Sequence, residues 1–181
     1  MTHDPAAALS LTERCADLEV WLRLRDERED LPSDASQWDD WGMPYAEDLP
    51  QPTRVVVMVT HPDGSAEPVG TMSWIPVYYG PTVGCRAWSI GIGLVESWRS
   101  RGIGTVAQRL LCDHLFASTD VERIEASTDV ENHAEQRALE KAGFTREGVT
   151  RAAQWRADGR HHDLVVYSRI RNDLGEQAAH P

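Results

Sequence analysis

The sequence has few cysteines, few basic residues relative to acids, and no long apolar run. Its three cysteines, Cys15, Cys85 and Cys112, are odd in number and lack the spacing of a metal site, which favours free thiols in a reducing cytoplasm. No apolar stretch is long enough to span a membrane, and residues 1–20 lack the basic start and apolar centre of a signal peptide. The net charge of -11 argues against nucleic-acid binding, because phosphate contacts need a basic surface.

The length of 181 residues suits one domain with a sizeable core and is short for two. We predict a flexible end over residues 1–17, one domain over residues 18–171 and a frayed tail over residues 172–181. The sequence predicts strands at 18–24, 53–60, 69–77, 88–94, 123–128, 145–155 and 164–170; apolar residues alternate at 18–24 and 88–94, whereas 53–60 reads as a buried strand. Helical spacing predicts helices at 103–115 and 134–142, with Gln108 and Cys112 on the polar side of the first. It also predicts one or two short helices in the acidic stretch before residue 53. The predicted fold class is α/β (α+β), with a mixed, mostly antiparallel sheet flanked by helices and a central strand–helix–strand crossover.

A strand, a glycine-rich turn and an amphipathic helix follow one another between Trp88 and Leu115. Gly91 and Gly93 leave one side of the strand nearly bare, which suits a ligand lying against the backbone. The turn, residues 99–104, carries two arginines and two glycines directly before the helix. The first amides of a helix have no partners within it and carry the positive end of its dipole, so the turn is suited to bind a pyrophosphate.

Two other interpretations of the turn remain open from the residues alone. The first is an ordinary tight turn between strand and helix that carries surface arginines and binds no ligand. In addition, Gly102-x-Gly104-x-x-Ala107 fits the dinucleotide pattern G-x-G-x-x-G/A, although a charged segment separates these glycines from the strand.

Two sequence motifs in the chain resemble those of a known protein family. Arg99-x-x-Gly102-x-Gly104 resembles the acetyl-coenzyme A motif [QR]-x-x-G-x-[GA] of the GNAT superfamily of N-acetyltransferases. Residues 132–144, NHAEQRALEKAGF, resemble the N-x-A-S-x-R-x-x-E-K-x-G-F motif of its RimJ/RimL-type branch. The resemblance covers roughly residues 20–171 and implies a fold in which the strands flanking the central helix splay apart to admit pantetheine.

The same resemblance implies which residues contact acetyl-CoA. A backbone amide near Leu94 or Val95 would bind the thioester oxygen, and Asn132 would bind coenzyme A or a bridging water. Arg137 is either a phosphate ligand or an exposed helix arginine. The residues assigned to coenzyme A are Leu94, Val95, Arg99, Ser100, Arg101, Gly102, Ile103, Gly104, Thr105, Asn132 and Arg137.

Acetyl transfer to an amine requires a base for the amine and an acid for the leaving thiolate. Glu125, on the strand after the central helix, is our first candidate base; alternatively it is a surface carboxylate paired with Arg123. By resemblance, a serine helps to protonate the thiolate, but Glu135 stands at that position here. Glu135 is therefore a candidate acid or a helix-capping residue. Tyr167 is a second candidate acid or a core tyrosine.

The acidic segment, residues 26–48, holds nine acids and one base. It is either a solvated surface or a wall that attracts a cationic acceptor. Aromatic residues interleave with the acids and are suited to hold an amine. The candidate acceptor-binding residues are Trp38, Asp39, Asp40, Trp41 and Tyr45.

These observations favour a cytoplasmic enzyme that moves an acetyl group from acetyl-CoA to a primary amine by direct transfer. The acceptor would be a protein or peptide N-terminus or a small cationic amine, such as an antibiotic or a polyamine. A non-catalytic acyl-CoA-binding sensor is the alternative from another class. Neither a metal nor a membrane partner is expected, since His161 and His162 lack a third ligand. The resemblance is also compatible with a homodimer.

Overall fold

The computed structural model describes residues 9, 11–26, 28–30, 36–38, 40–44, 46 and 49–173. Within this part the chain forms eight strands and two α-helices. The strands are β1 Thr12–Cys15, β2 Leu18–Leu24, β3 Thr53–Thr60, β4 Ala66–Tyr78, β5 Arg86–Leu94, β6 Arg123–Asp129, β7 Thr145–Trp155 and β8 His161–Ile170. The helices are α1 Ile103–Ser118 and α2 His133–Lys141. None of the described helices is long and apolar enough to cross a membrane.

All eight strands belong to one sheet in the order β1-β2-β3-β4-β5-β6-β8-β7. Each neighbouring pair is antiparallel except β5 and β6, which run parallel and are joined through α1. A parallel pair needs such a crossover, whereas tight turns join antiparallel neighbours. The predicted fold class, a mixed and mostly antiparallel sheet with a central crossover, is confirmed.

The core lies between α1 and one face of the sheet. Four residues spaced four apart along α1 are almost fully buried: Ile103, Ala107, Leu111 and Leu115. They belong to one cluster with alternate residues of the central strands, including Trp88 and Ile90 of β5. Because side chains alternate across a strand, Ser89, Gly91 and Gly93 lie on the opposite face.

Strands β5 and β6 are paired only at their beginning. The register joins Trp88 to Ile124 and Ser89 to Glu125, and no further pair follows among the described residues. Beyond Ser89 and Glu125 the two strands diverge, which confirms the predicted splay. We call the space between the diverging strands the gap.

Three expectations need correction. Residues 12–15, predicted within a flexible end, form an edge strand that pairs with residues 18–21 of β2. The described residues of the acidic segment contain no helix. Finally, Gln108 and Cys112, predicted on the polar side of α1, are fully buried because α2 and β8 cover that side; burial raises the pKa of the Cys112 thiol to about 12.

Candidate active site

The glycine-rich turn presents the start of α1 to one end of the gap. Gly102 is the residue before the helix and has φ +83°, a left-handed conformation that favours glycine. A Cβ on Gly102 would lie 3.3 Å from the Cys15 sulfur, so the turn is also tightly packed from behind by β1. The first amides of α1 therefore face a site that an anion can approach closely.

The two arginines of the turn have different contacts. The Arg99 Nε donates to the Leu94 carbonyl at 2.9 Å, which fastens the turn to the end of β5. The Arg101 guanidinium lies over the Trp98 ring, 4.6 Å from its centre. Ser100 between them has φ +60°. Both side chains are therefore fixed by contacts with residues that directly precede α1.

The backbone of β5 shows which predicted amide could donate a hydrogen bond to the thioester oxygen. The Val95 amide donates to the Val69 carbonyl at 2.9 Å, so it points towards β4 and is occupied. Since amides alternate along a strand, the Leu94 amide points to the other edge, towards the gap. Of the two predicted amides, only that of Leu94 has the required direction. A Cβ placed on the neighbouring Gly93 would meet no atom within 4 Å, so there is open space beside this part of the strand.

Glu125 lies at the apex of the gap, in the last pair between β5 and β6. Its Oε2 accepts hydrogen bonds from the Tyr79 hydroxyl and from the Arg123 Nε, the latter at 3.2 Å. The Arg123 terminal nitrogens bind the two Glu147 oxygens at 2.5 and 2.6 Å. The Ser168 hydroxyl donates to Glu147 at 2.6 Å. We call these five residues the polar cluster. The structure therefore contains the pair between Glu125 and Arg123 that the alternative interpretation of Glu125 expected.

At the beginning of α2, Asn132 and Glu135 are both engaged within the protein. The Asn132 Oδ1 accepts the Glu135 amide at 3.3 Å and caps the helix, while its Nδ2 donates to the Thr128 hydroxyl at 3.0 Å. The Glu135 Oε1 accepts a hydrogen bond from the buried Gln108 Nε2 at 2.6 Å. Glu135 thus links α2 to α1, whereas Arg137 lies on the outer part of α2, where it is exposed.

Tyr167 is a core residue and does not join Glu125. It is fully buried, and its hydroxyl donates to Glu140 at 3.0 Å. Burial, with the Glu140 contact, raises the pKa of Tyr167. Ser168 pairs with Glu125 across the sheet, and since neighbouring side chains point to opposite faces, Tyr167 and Glu125 lie on different sides.

Part of the acidic segment lies against the β7–β8 hairpin. The Asp40 carbonyl accepts the Ala157 amide at 3.0 Å, and the Trp41 ring stacks on Arg156 with 4.4 Å between ring centre and guanidinium carbon. Trp38 belongs to a separate described range, residues 36–38, whereas Asp39 and Tyr45 lie outside the described residues. The hairpin is tied in turn to the end of β6, because His162 binds Asp129 at 2.6 Å and Asp158 at 3.1 Å.

Sequence reasoning missed Tyr79, Glu147 and Gln108. No local pattern marks Tyr79 or Glu147, which meet Glu125 and Arg123 only through strand register. For Gln108, expected on the polar side of α1, the burial and the contact with Glu135 arise only because α2 packs against α1. His162 is held by two carboxylates, and no group of side chains in the described part of the chain has the arrangement of a metal site.

Comparison with known proteins identifies the family and supports the fold. A family model described as an acetyltransferase (GNAT) domain matches residues 2–145, and the chain belongs to this family. YdaF of Bacillus subtilis (strain 168), named as a putative ribosomal N-acetyltransferase, is 31% identical over 88 residues, which are 49% of this chain and 48% of that protein. The chain therefore spans about half the length of the curated relatives it matches.

Solved structures show the same fold. RimJ of Mycobacterium smegmatis in complex with CoA-disulfide aligns with a TM-score of 0.58 and 28% identity, covering 71% of this chain and 57% of that one. The aminoglycoside acetyltransferase AAC(6')-Ib in complex with coenzyme A and kanamycin aligns with a TM-score of 0.53 and 24% identity, covering 70% and 71%. At that identity the second match speaks for the fold alone.

Proposed function

We propose that this protein transfers an acetyl group from acetyl-CoA to a primary amine, by direct attack in a ternary complex. The observation that carries the proposal is the gap itself, which opens at the Ser89–Glu125 pair and ends at the glycine-rich turn. A long, thin ligand with an anionic end fits such a space. The family membership and the coenzyme A complexes of the structural relatives support this choice of donor.

The turn would bind the pyrophosphate through the amides of Ile103, Gly104 and Thr105, with Arg99 and Arg101 beside them. Pantetheine would extend along β5 past its two glycines, which place no side chain in the way. The thioester oxygen would then accept a hydrogen bond from the Leu94 amide. This hydrogen bond would stabilise the negative charge that develops on the oxygen during the reaction. Asn132 would contact coenzyme A directly or through water, and Arg137 would contact a phosphate.

The chemistry requires one new bond and one broken bond. The neutral amine nitrogen attacks the thioester carbon, and the carbon–sulfur bond then breaks to release the coenzyme A thiolate. The proton lost by the amine goes to Glu125, directly or through water. An α-amine, with a pKa of about 7.7–8.0, needs only a weak base, whereas a lysine amine of about 10.4 needs a stronger one. Glu135 is our candidate for delivering a proton to the thiolate.

The acceptor is proposed to be a protein or peptide N-terminus or a small cationic amine. The likeness to RimJ and YdaF favours the first class. The second class rests on the composition of the acidic segment, of which Asp40 and Trp41 contact the β7–β8 hairpin. An aromatic face next to carboxylates suits a cation.

The test is to measure coenzyme A release from acetyl-CoA across N-terminal peptides, free amino acids, polyamines and aminoglycosides. Strong turnover with peptides supports the N-terminal acceptor, and turnover with polyamines or aminoglycosides supports the cationic one. Tight binding of acetyl-CoA without release for any amine would contradict the proposed activity and favour the acyl-CoA sensor.

We also propose a cytoplasmic location. All three cysteines are free thiols in the fold. Such thiols persist in a reducing compartment.

A further inference from the structure

The two hydrogen bonds to Glu125 reach the same oxygen. Tyr79 and Arg123 both donate to Oε2, and no hydrogen bond from the described residues reaches Oε1. Glu125 lies in the last pair before the strands diverge, so this carboxylate is at the apex of the gap. Oε1 is therefore the oxygen to which an acceptor would deliver its proton, while Oε2 anchors the carboxylate.

Arg123 is turned away from Glu125 by a second carboxylate. Only its Nε contacts Glu125, whereas both terminal nitrogens bind Glu147 at 2.5 and 2.6 Å. The Arg123 guanidinium and the Ser168 hydroxyl hold the pKa of Glu147 down to about 2. Glu147 therefore stays charged over the working range of the protein and competes with Glu125 for the same cation.

Tyr79 acts on Glu125 from a different element, the connection between β4 and β5. Its ring lies beside Arg123, with 5.2 Å between ring centre and guanidinium carbon, and its hydroxyl donates to Glu125. Burial and the Glu125 carboxylate raise the pKa of Tyr79, so the hydroxyl keeps its proton. A hydrogen bond donated to a carboxylate stabilises its charged form.

We propose that Tyr79 and Glu147 are positioning residues that set, in opposite directions, how readily Glu125 takes up a proton. Tyr79 stabilises the carboxylate directly. Glu147 draws Arg123 away and adds a negative charge nearby, so it makes the carboxylate a better proton acceptor. The other strands beside Glu125 contribute only the neutral hydroxyl residues Ser89 and Ser168 at the paired positions. This inference rests on the proposed role of Glu125 as the base.

The first experiment measures the pH dependence of kcat/KM for the best amine in two variants. Tyr79→Phe removes a donor from Oε2, so the acidic limb of the profile should move to higher pH by about half a unit. Glu147→Gln frees the Arg123 terminal nitrogens for Glu125, so the limb should move to lower pH. Tyr78→Phe and Glu122→Gln are matched controls at exposed positions, and both should leave the profile in place.

A second measurement separates this inference from the proposed activity. Carbon-13 NMR of the glutamate carboxyl groups follows the titration of Glu125 in the free protein, with the signal assigned by its loss in Glu125→Gln. Opposite displacements in the two variants support the inference even if no amine is acetylated. Displacements in the same direction, or none in either variant, would overturn it even if turnover is strong.

Discussion

At one end of the gap, six consecutive residues form the glycine-rich turn, whereas at the apex the Glu125 carboxylate is held by residues from distant places in the chain. Tyr79 lies 46 positions before Glu125, and Glu147 lies 24 positions after Arg123. The turn works through backbone amides and the absence of side chains. The apex works through side-chain charges and hydroxyl groups. The donor side of the proposed site is therefore local, and the base is a property of the assembled sheet.

The two ends of the gap should also respond differently to substitution. The turn depends on one backbone conformation at Gly102, which a single Cβ disturbs. The polar cluster shares its interactions among five residues, so losing a supporting member should alter the base by degrees. Only the loss of Glu125 itself should abolish its contribution.

The largest effect is expected at the apex. Glu125→Gln removes the proposed base while keeping the shape of the side chain, so kcat should fall by about 100-fold or more. The KM for acetyl-CoA should change little, because Glu125 is distant in the fold from the turn. Steady-state kinetics with each substrate varied in turn measure both values. Glu131→Gln, an exposed carboxylate next to α2, is the control; an equal loss of kcat there would contradict the assignment.

A smaller but complementary effect is expected at the turn. Gly102→Ala places a Cβ in a left-handed conformation against the Cys15 sulfur, so acetyl-CoA affinity should fall about tenfold and the fold should lose about 1–2 kcal/mol. Calorimetric titration with acetyl-CoA and thermal melts measure the two effects.

Gly159→Ala is the control for that variant. Gly159 has φ +81° with no atom within 4 Å of its Cβ position, so it carries similar strain away from the turn. Its acetyl-CoA affinity should equal that of the unmodified protein. A loss of affinity in both variants would mean that strain, and not the anion site, explains the result.

Substitutions in the acidic segment should change the KM for the acceptor by a few fold. Replacing Asp39 and Asp40 by asparagine should raise the KM for a cationic acceptor, since carboxylate charges attract a cation over a distance that salt shortens. The KM for acetyl-CoA should stay the same. Kinetics at low and high salt measure this, with Asp120→Asn as the control. An unchanged acceptor KM would rule out the acidic segment as the cation-binding wall.

The smallest effect concerns the hairpin and its dependence on pH. Asp158 and Asp129 raise the pKa of His162, because both ring nitrogens contact carboxylates. The unfolded value is about 6.5, so the stabilisation is fully present below about pH 6.5 and is lost as pH rises through the folded pKa. The rate of amide hydrogen exchange in β8 should therefore increase with pH by more than the intrinsic exchange rate does. The exchange rate in α1 should show no such additional increase. His162→Gln should remove the excess; if it persists, another group is responsible.

Much of the architecture can be predicted from periodicity. The bounds of β3 and β7 match the expected ranges, and α1 begins at Ile103 directly after the glycine expected to precede it. These elements have one strongly apolar side or a clear turn signal, and both act over a few residues. The edge strand β1 escapes such prediction, because none of its four residues is fully buried and they carry little apolar signal.

The roles of individual side chains are harder to predict. Tyr167 is a candidate acid as long as only its strand is known, but the register puts it on the face opposite Glu125. Conversely, nothing in the sequence singles out Glu147, although it binds Arg123 through both oxygens. A shift of one residue in register moves a side chain to the other face, and no local pattern reports that shift.

The amino-acid sequence by itself determined the strand–turn–helix unit and the amides it presents, since glycine conformation and helix dipoles act between near neighbours. Only the tertiary structure decided which carboxylate lies at the apex, which hydroxyl binds it and which amide of β5 points into the gap. Those outcomes depend on strand order and register, which arise when distant segments compete to bury their apolar faces.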